Sequence, residues 1–178
     1  MRSIYKLVVC SLLTLSITSC EKDLLDKEQY QKEIYLIGAY NRVWTTEVSY
    51  SNEEVKTYFT VSSSGTLALD RDVNVKMKIN EELVDIYNKK YWTVLNEDKY
   101  YKSLDTDLYS IPSLENTVIK HAEGISAEVP VLIKTASLKI DQSYVIPVEI
   151  ESTTGYPIST SGCKMLVLLK LKNDYSGN

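Results

Sequence analysis

The sequence predicts an all-β fold, an antiparallel β-sandwich with one short inserted helix and a long irregular loop. Three observations carry this. Five segments alternate apolar and polar residues with a period of two. Gly-, Ser- and Thr-rich turn signals fall between them. A single stretch shows helical spacing. Strict alternation marks a half-buried strand, because successive side chains point to opposite faces of a sheet.

The elements follow in order. Ile34 to Ile37 reads as a first strand. Val55, Thr57, Phe59 and Val61 alternate with Lys56, Tyr58 and Thr60. The cleanest stripe is Val73, Val75, Met77 and Ile79, with Asn74, Lys76 and Lys78 opposite. Asn80 then suits a cap, and Glu81 and Glu82 suit the positive end of a helix. Leu83, Ile86 and Tyr87 recur at helical spacing, and Lys89 and Lys90 suit the C-terminal end. Tyr91 to Ser113 has no period, and long ordered loops are often functional. Thr117 to Lys120 reads as a strand. Three stripes close the chain: Ala127 to Ile133, Tyr144 to Ile150, and Met165 to Leu171. Leu166 and Leu168 make the other face of the last strand apolar too, so its middle is expected to be covered on both sides. Pro130 and Pro147 lack a ladder donor, so they are expected at edges or bulges.

The N-terminus sets the placement. Arg2 and Lys6 precede an apolar run, Leu7 to Ile17, the layout of a secretory signal peptide. That run is too short to span a bilayer. Ile17-Thr18-Ser19-Cys20 resembles the lipobox of bacterial lipoproteins, which implies cleavage before Cys20 and its lipidation. Several acyl chains, at roughly 0.8 kcal/mol per buried CH₂, then anchor a protein to a membrane. Glu21 and Asp23, interrupted by Lys22, resemble a surface-export signal of Bacteroidetes lipoproteins. The expected location is the outer membrane, cell surface, with a periplasm-facing placement as the alternative. The expected division is a signal peptide (1–19), a tether (20–29), a sandwich domain (30–172) and a tail (173–178).

Composition excludes several classes. The chain has 178 residues and a formal net charge of −4, so nothing favours a nucleic-acid partner. Loss of residues 1–19 removes Arg2 and Lys6 and no acid, which takes the net charge to −6. Of the 3 cysteines, Cys10 leaves with the signal and Cys20 takes the lipid. Cys163 then has no disulfide partner in the chain and reads as a small buried hydrophobe. The single histidine, His121, reads as a surface residue and excludes a His-Glu-x-x-His zinc helix.

A wider resemblance rests on the strand ending at Ile79-Asn80, then Leu83-Val84-Asp85-Ile86-Tyr87-Asn88 and Leu95. Tyr100 or Tyr101, Val118-Ile119 and Gly124 follow, and Ser143-Tyr144-Val145-Ile146-Pro147-Val148-Glu149-Ile150 closes it. The order resembles an immunoglobulin-like lipoprotein domain of Bacteroidetes. That domain occurs alone, beside lectin-like modules, or ahead of family 18 glycoside hydrolases, and is encoded with polysaccharide-utilisation systems. The resemblance covers roughly residues 30–172. It departs at Asn96, where the family has Pro, and at His121-Ala122-Glu123-Gly124, where the family has a Pro-Ala-Gly-like turn. It implies an immunoglobulin-like sandwich, and it supplies no catalytic residues.

Chemistry is sparse. The family 18 Asp-x-x-Asp-x-Asp-x-Glu strand is absent, and Asp105-Thr106-Asp107 is too short for it. Asp85, Asp98, Asp105, Asp107 and Glu115 read as a solvated loop cluster. Asp105, Asp107 and Glu115 lack the Gly and terminal Glu of a known calcium loop, and no metal or cofactor is expected. The aromatics are the better lead: 14 Tyr stand against 1 Phe and 2 Trp. A flat ring with a polar handle can stack on a sugar ring. Tyr87 and Tyr91 are expected to pack the helix. Trp92, Tyr100, Tyr101 and Tyr109 are either packing residues or a glycan platform, and Trp44 with Tyr40 is a second candidate. The expected function is non-catalytic accessory glycan binding at the cell envelope. The alternative is a structural or assembly partner of another envelope protein, and the weakest reading is a glycoside hydrolase.

Overall fold

The structure is a computed structural model and describes residues 27–172. The expected signal peptide, Cys20, most of the expected tether and the expected tail lie outside the described residues. Among the described residues there are ten strands and one α-helix. The strands are β1 (Ile34–Leu36), β2 (Val43–Ser49), β3 (Glu54–Ser63), β4 (Val73–Ile79), β5 (Lys102–Ser103), β6 (Tyr109–Ser110), β7 (Thr117–Ile119), β8 (Ser126–Lys134), β9 (Tyr144–Thr153) and β10 (Lys164–Lys172). Helix α1 (Glu82–Tyr91) lies between β4 and β5.

Two sheets form. One runs β1-β3-β8-β6, and the other β2-β10-β9-β4-β7, with β5 beside β9. These orders match the A-B-E-D and C-F-G sheets of an immunoglobulin-like sandwich. The expected stripes are the inner faces. Phe59, Val61, Val73, Val75, Val129, Val131, Ile146, Val148 and Val167 are all buried in one core. Their alternation with exposed Lys56, Tyr58, Lys76 and Lys78 is the physical content of the period-two pattern.

The first strand splits between the sheets. β1 pairs antiparallel with β3. The chain then turns through a 3-10 segment, Ala39–Asn41, and β2 pairs parallel with the last strand, β10. This elbow needs left-handed backbone at both ends: Gly38 has φ 89° and Arg42 has φ 62°. A Cβ on Gly38 would lie 2.7 Å from the Trp44 ring, so glycine also lets the indole pack there.

The last strand is covered on both sides, as its pattern requires. Val84 of α1 packs on Val145 and Leu166, with Leu83, Tyr87, Tyr101 and Leu168 around them. Asn80 caps the helix by accepting the Glu82 N–H at its Oδ1 (3.2 Å). Pro130 lies in β8 where β6 does not reach, since β6 pairs only with Leu132 and Ile133. Pro147 departs from the expectation of an edge: it lies in central β9. It is tolerated because its missing donor faces the gap between β5, which pairs at Tyr144 and Val145, and β4, which begins at Val148. The Pro147 carbonyl is still used, accepting the Asn80 N–H (3.0 Å).

Candidate functional site

The long loop after α1 is laced across both sheets. β5 joins the second sheet and β6 the first, and Leu104 is buried between them. Asn88 of α1 ties the loop down. Its Nδ2 donates to the Tyr101 carbonyl (2.9 Å) and its Oδ1 accepts the Tyr101 N–H (3.0 Å). The side-chain amide thus pairs with a peptide group as a neighbouring strand would. Tyr101 is thereby stacked on Tyr87, with centroids 5.2 Å apart and planes at 11°. Burial and, after it, the Tyr101 ring push the Tyr87 phenol up to about 12. Tyr91 packs against Tyr87 at 4.4 Å with its ring tilted by 35°, but it stays half exposed, so only Tyr87 packs the helix as expected.

The other sequence candidates are dispersed. Trp92 is half-buried below the Lys99 ammonium (5.8 Å to the ring centroid), and its Nε1 is buried without a partner. Tyr100 is half-buried, and its carbonyl accepts from Gln142 (3.4 Å). Tyr109 belongs to β6 in the first sheet and packs on the main core. Its phenol is pushed up by burial and, second, by Glu81, and its hydroxyl has no partner. Trp44 sits on edge strand β2 and is 37% exposed. None of these four residues, nor Tyr101, lines either of the two cavities described below.

A groove of about 250 Å³ lies elsewhere, between α1, the β1–β2 elbow and the turn into β10. Leu83, Ile86 and Tyr87 line it from one face of the helix, at positions i, i+3 and i+4. The elbow supplies Ala39, Tyr40 and Arg42, and the β10 side supplies Thr160, Ser161, Lys164, Met165 and Leu166. Tyr40 is 67% exposed, and its ring stands 6.3 Å from that of Tyr35. The turn is drawn against β1 because Gly162 has no side chain: a Cβ there would lie 2.7 Å from Tyr35 Cβ. The Gly162 carbonyl also accepts the Leu36 N–H (2.8 Å). Of the groove's aromatics, Tyr40 and Tyr87 are named by the sequence. Arg42, Lys164 and the Thr160-Ser161 pair are not, because no local signal marks residues that meet only through the β2–β10 pairing.

Lys164, at the edge of the groove, is paired with Glu149, which is not one of the groove's lining residues. Burial pushes its carboxyl up, but hydrogen bonds from Asn80 and Lys164 outweigh this and hold it below the ordinary carboxylate value. Lys164 Nζ lies 3.2 Å from Glu149. Other carboxylates are held low as well. Glu28, just ahead of the first strand, is lowered to about 2 by Lys32 and the N–H groups of Thr66 and Leu67. Asp70, Asp72 and Glu151 are lowered by Arg71, His121 and Lys76 respectively. Each depressed carboxyl stabilises the fold above its unfolded value, and loses that contribution as pH falls toward its folded one. The melting temperature is therefore expected to stay level down to about pH 5 and to fall steadily from about pH 4.5 toward pH 2. Thermal scans across that range check it; a melting temperature that rises on acidification contradicts it.

A second, more open depression of about 530 Å³ is lined by Asp105, Thr106, Asp107, Leu108, Ser137, Leu138 and Tyr144. Among the described residues, no group of three or more His, Cys, Asp or Glu is placed to hold a metal. His121 is exposed, and its Nδ1 lies 2.6 Å from Asp72. Cys163 is half-buried rather than fully buried and rests on the rim of the core. Among the described residues no helix is long and apolar enough to cross a membrane.

Comparison with known proteins places this geometry. A multidomain protein including DUF1735 from Bacteroides ovatus superposes with a TM-score of 0.61 at 20% identity, over 77% of this chain and 43% of that one. An auxiliary nutrient binding protein from Bacteroides thetaiotaomicron gives 0.61 at 16%, over 79% and 47%. EndoBT-3987 of the same organism, bound to a Man5GlcNAc product, gives 0.55 at 19%, over 78% and 30%. The chain thus spans less than half the length of each of these proteins. No curated protein matches it. A family model described as "-like, N-terminal domain" matches residues 30–157. The chain belongs to that N-terminal domain family, and its resemblance to the Bacteroidetes immunoglobulin-like domain is borne out by the fold.

Proposed function

We propose that this chain is a non-catalytic, lipid-anchored module at the cell envelope that binds glycan as an accessory to its utilisation. The observation that carries this reading is the groove beneath α1. The exposed ring of Tyr40 and the exposed Ile86 offer apolar faces to a sugar, and Tyr87, packed between other tyrosines, lines the wall beside them. The hydroxyls of Thr160 and Ser161 and the cations of Arg42 and Lys164 offer hydrogen-bond partners beside them. Tyr101 serves behind the wall, holding Tyr87 in place. Among the described residues, no carboxylate lines the groove, whereas glycoside hydrolysis needs a pair of them about the scissile bond. Fold neighbours described as nutrient binding and as glycan-bound support the same reading. The lipobox-like run ending at Cys20 supports attachment to a membrane.

The purified protein is expected to bind members of a broad glycan array, and Tyr40→Ala is expected to weaken that binding about tenfold or more, or about 1.4 kcal/mol. A silent array overturns the reading. A silent array together with a stoichiometric protein partner recovered from membranes favours the assembly role instead.

A further inference from the structure

Arg42 stands out in the groove for two reasons that are independent of each other. The first is its backbone. It is the one non-glycine residue at positive φ among the described residues, at φ 62° and ψ −16°. An L-residue with a branched-off Cβ is strained there, and Gly or Asn is the usual choice. The strained conformation is held from both sides: the Arg42 N–H donates to the Ala39 carbonyl (2.8 Å), and the Arg42 carbonyl accepts the Leu166 N–H (2.8 Å). Local conformational ease therefore does not account for arginine at this position.

The second reason is charge. The groove walls carry Arg42 and Lys164 and no acid, in a chain whose net charge is −4. Lys164 is already engaged by Glu149. Arg42 is exposed, has no ion-pair partner among the described residues, and lines the same groove as the exposed Tyr40 and Ile86. A guanidinium presents a planar fork of donors that matches a carboxylate in a bidentate geometry.

We infer that the groove selects a sugar chain bearing a carboxylate, a uronic-acid glycan, with Arg42 receiving the carboxylate while the exposed Tyr40 takes the ring. This rests on the glycan reading above and goes further by naming the class. Thr160 and Ser161 hydroxyls are placed to serve the neutral hydroxyls of the same sugar. The strain at Arg42 is then the cost of keeping a fork-shaped cation at the mouth of the groove.

The test uses a panel of uronate oligosaccharides, each paired with its carboxyl-reduced neutral counterpart, titrated against the purified protein by calorimetry. A uronate oligosaccharide is expected to bind at least tenfold more tightly than its reduced counterpart. Arg42→Gln is expected to abolish that preference. Arg42→Gly is expected to weaken uronate binding roughly ten- to a hundredfold while raising the melting temperature by about 2–4 °C, because glycine relieves the positive φ. That opposition separates a ligand-binding arginine from a structural one, whose loss would lower the melting temperature. Equal binding of the reduced counterparts, or an Arg42→Gln protein with unchanged preference, overturns the inference. In that case binding of neutral glycans that remains sensitive to Tyr40→Ala leaves the glycan reading standing. Failure of every oligosaccharide to bind overturns both.

Discussion

Asn88→Ala is expected to destabilise the protein by about 2–4 kcal/mol. Asn88 is 5% exposed, and both halves of its side-chain amide are spent on the Tyr101 peptide group. Each such hydrogen bond contributes about 0.5–1.5 kcal/mol net, and each buried backbone group left without a partner costs about 1–3 kcal/mol. Alanine removes both bonds and strands the Tyr101 N–H and C=O together. For a domain of this size the melting temperature should fall by roughly 5–15 °C. A second readout is spectroscopic. Burial and, after it, the neighbouring Tyr101 phenol push the Tyr87 phenol up to about 12, so release of the loop should bring it back toward its ordinary 10.0. Ultraviolet titration of the phenols checks this, and a variant that melts within 2 °C of the parent rejects the clamp. Because Tyr87 lines the groove, the same variant should also lose glycan affinity without touching any groove residue directly.

Phe59→Ala is expected to cost about 3–5 kcal/mol, the range for emptying an aromatic site in a core that collapses only partly. Phe59 is the sole phenylalanine, is 1% exposed, and faces inward from β3 opposite Val129 of β8. Phe59→Leu keeps much of the volume and should cost less than about 1.5 kcal/mol. The neighbouring Tyr58 points to the other face of the same strand and is 40% exposed, so Tyr58→Ala should stay within about 0.5 kcal/mol of the parent. Chemical denaturation of the three variants tests the register directly. If Tyr58→Ala proved as damaging as Phe59→Ala, the strand would be facing the wrong way.

Most strands that the sequence reveals carry an apolar stripe of period two over at least seven residues, and the short β1 and β7 are also legible. β3, β4, β8, β9 and β10 all carry that stripe. Three others escape detection for identifiable reasons. β5 and β6 are two residues each, shorter than any periodic window. β2 runs along the edge of its sheet, and only Val48 of its inward residues is buried, so its alternation is faint. Its partner, β10, lies at the far end of the chain, and no local pattern announces a parallel pairing over that separation. The helix is legible because a cap, a charge gradient and an apolar stripe agree within eleven residues, and α1 begins two residues after the Asn80 that caps it. Pro147 is half legible. Its missing donor is a local fact, but that the donor would face a gap between β5 and β4 follows only from where those strands stop.

The aromatic candidates make the same point about function. Proximity in sequence grouped Trp92, Tyr100, Tyr101 and Tyr109, and the fold sends them to different places. Tyr101 goes to a stack on Tyr87, Trp92 to the end of α1, and Tyr109 to the opposite sheet. By itself the sequence determined which residues face the core, because side-chain alternation is a property of neighbouring residues and survives any arrangement of the strands. The groove was decided only by tertiary structure. Its walls come from residues 39–42, 83–87 and 160–166, which meet because β2 pairs with β10 and α1 lies across their outer face. Pairing over such distances is selected by the global fit of two sheets and a helix, and no window of the chain contains that information.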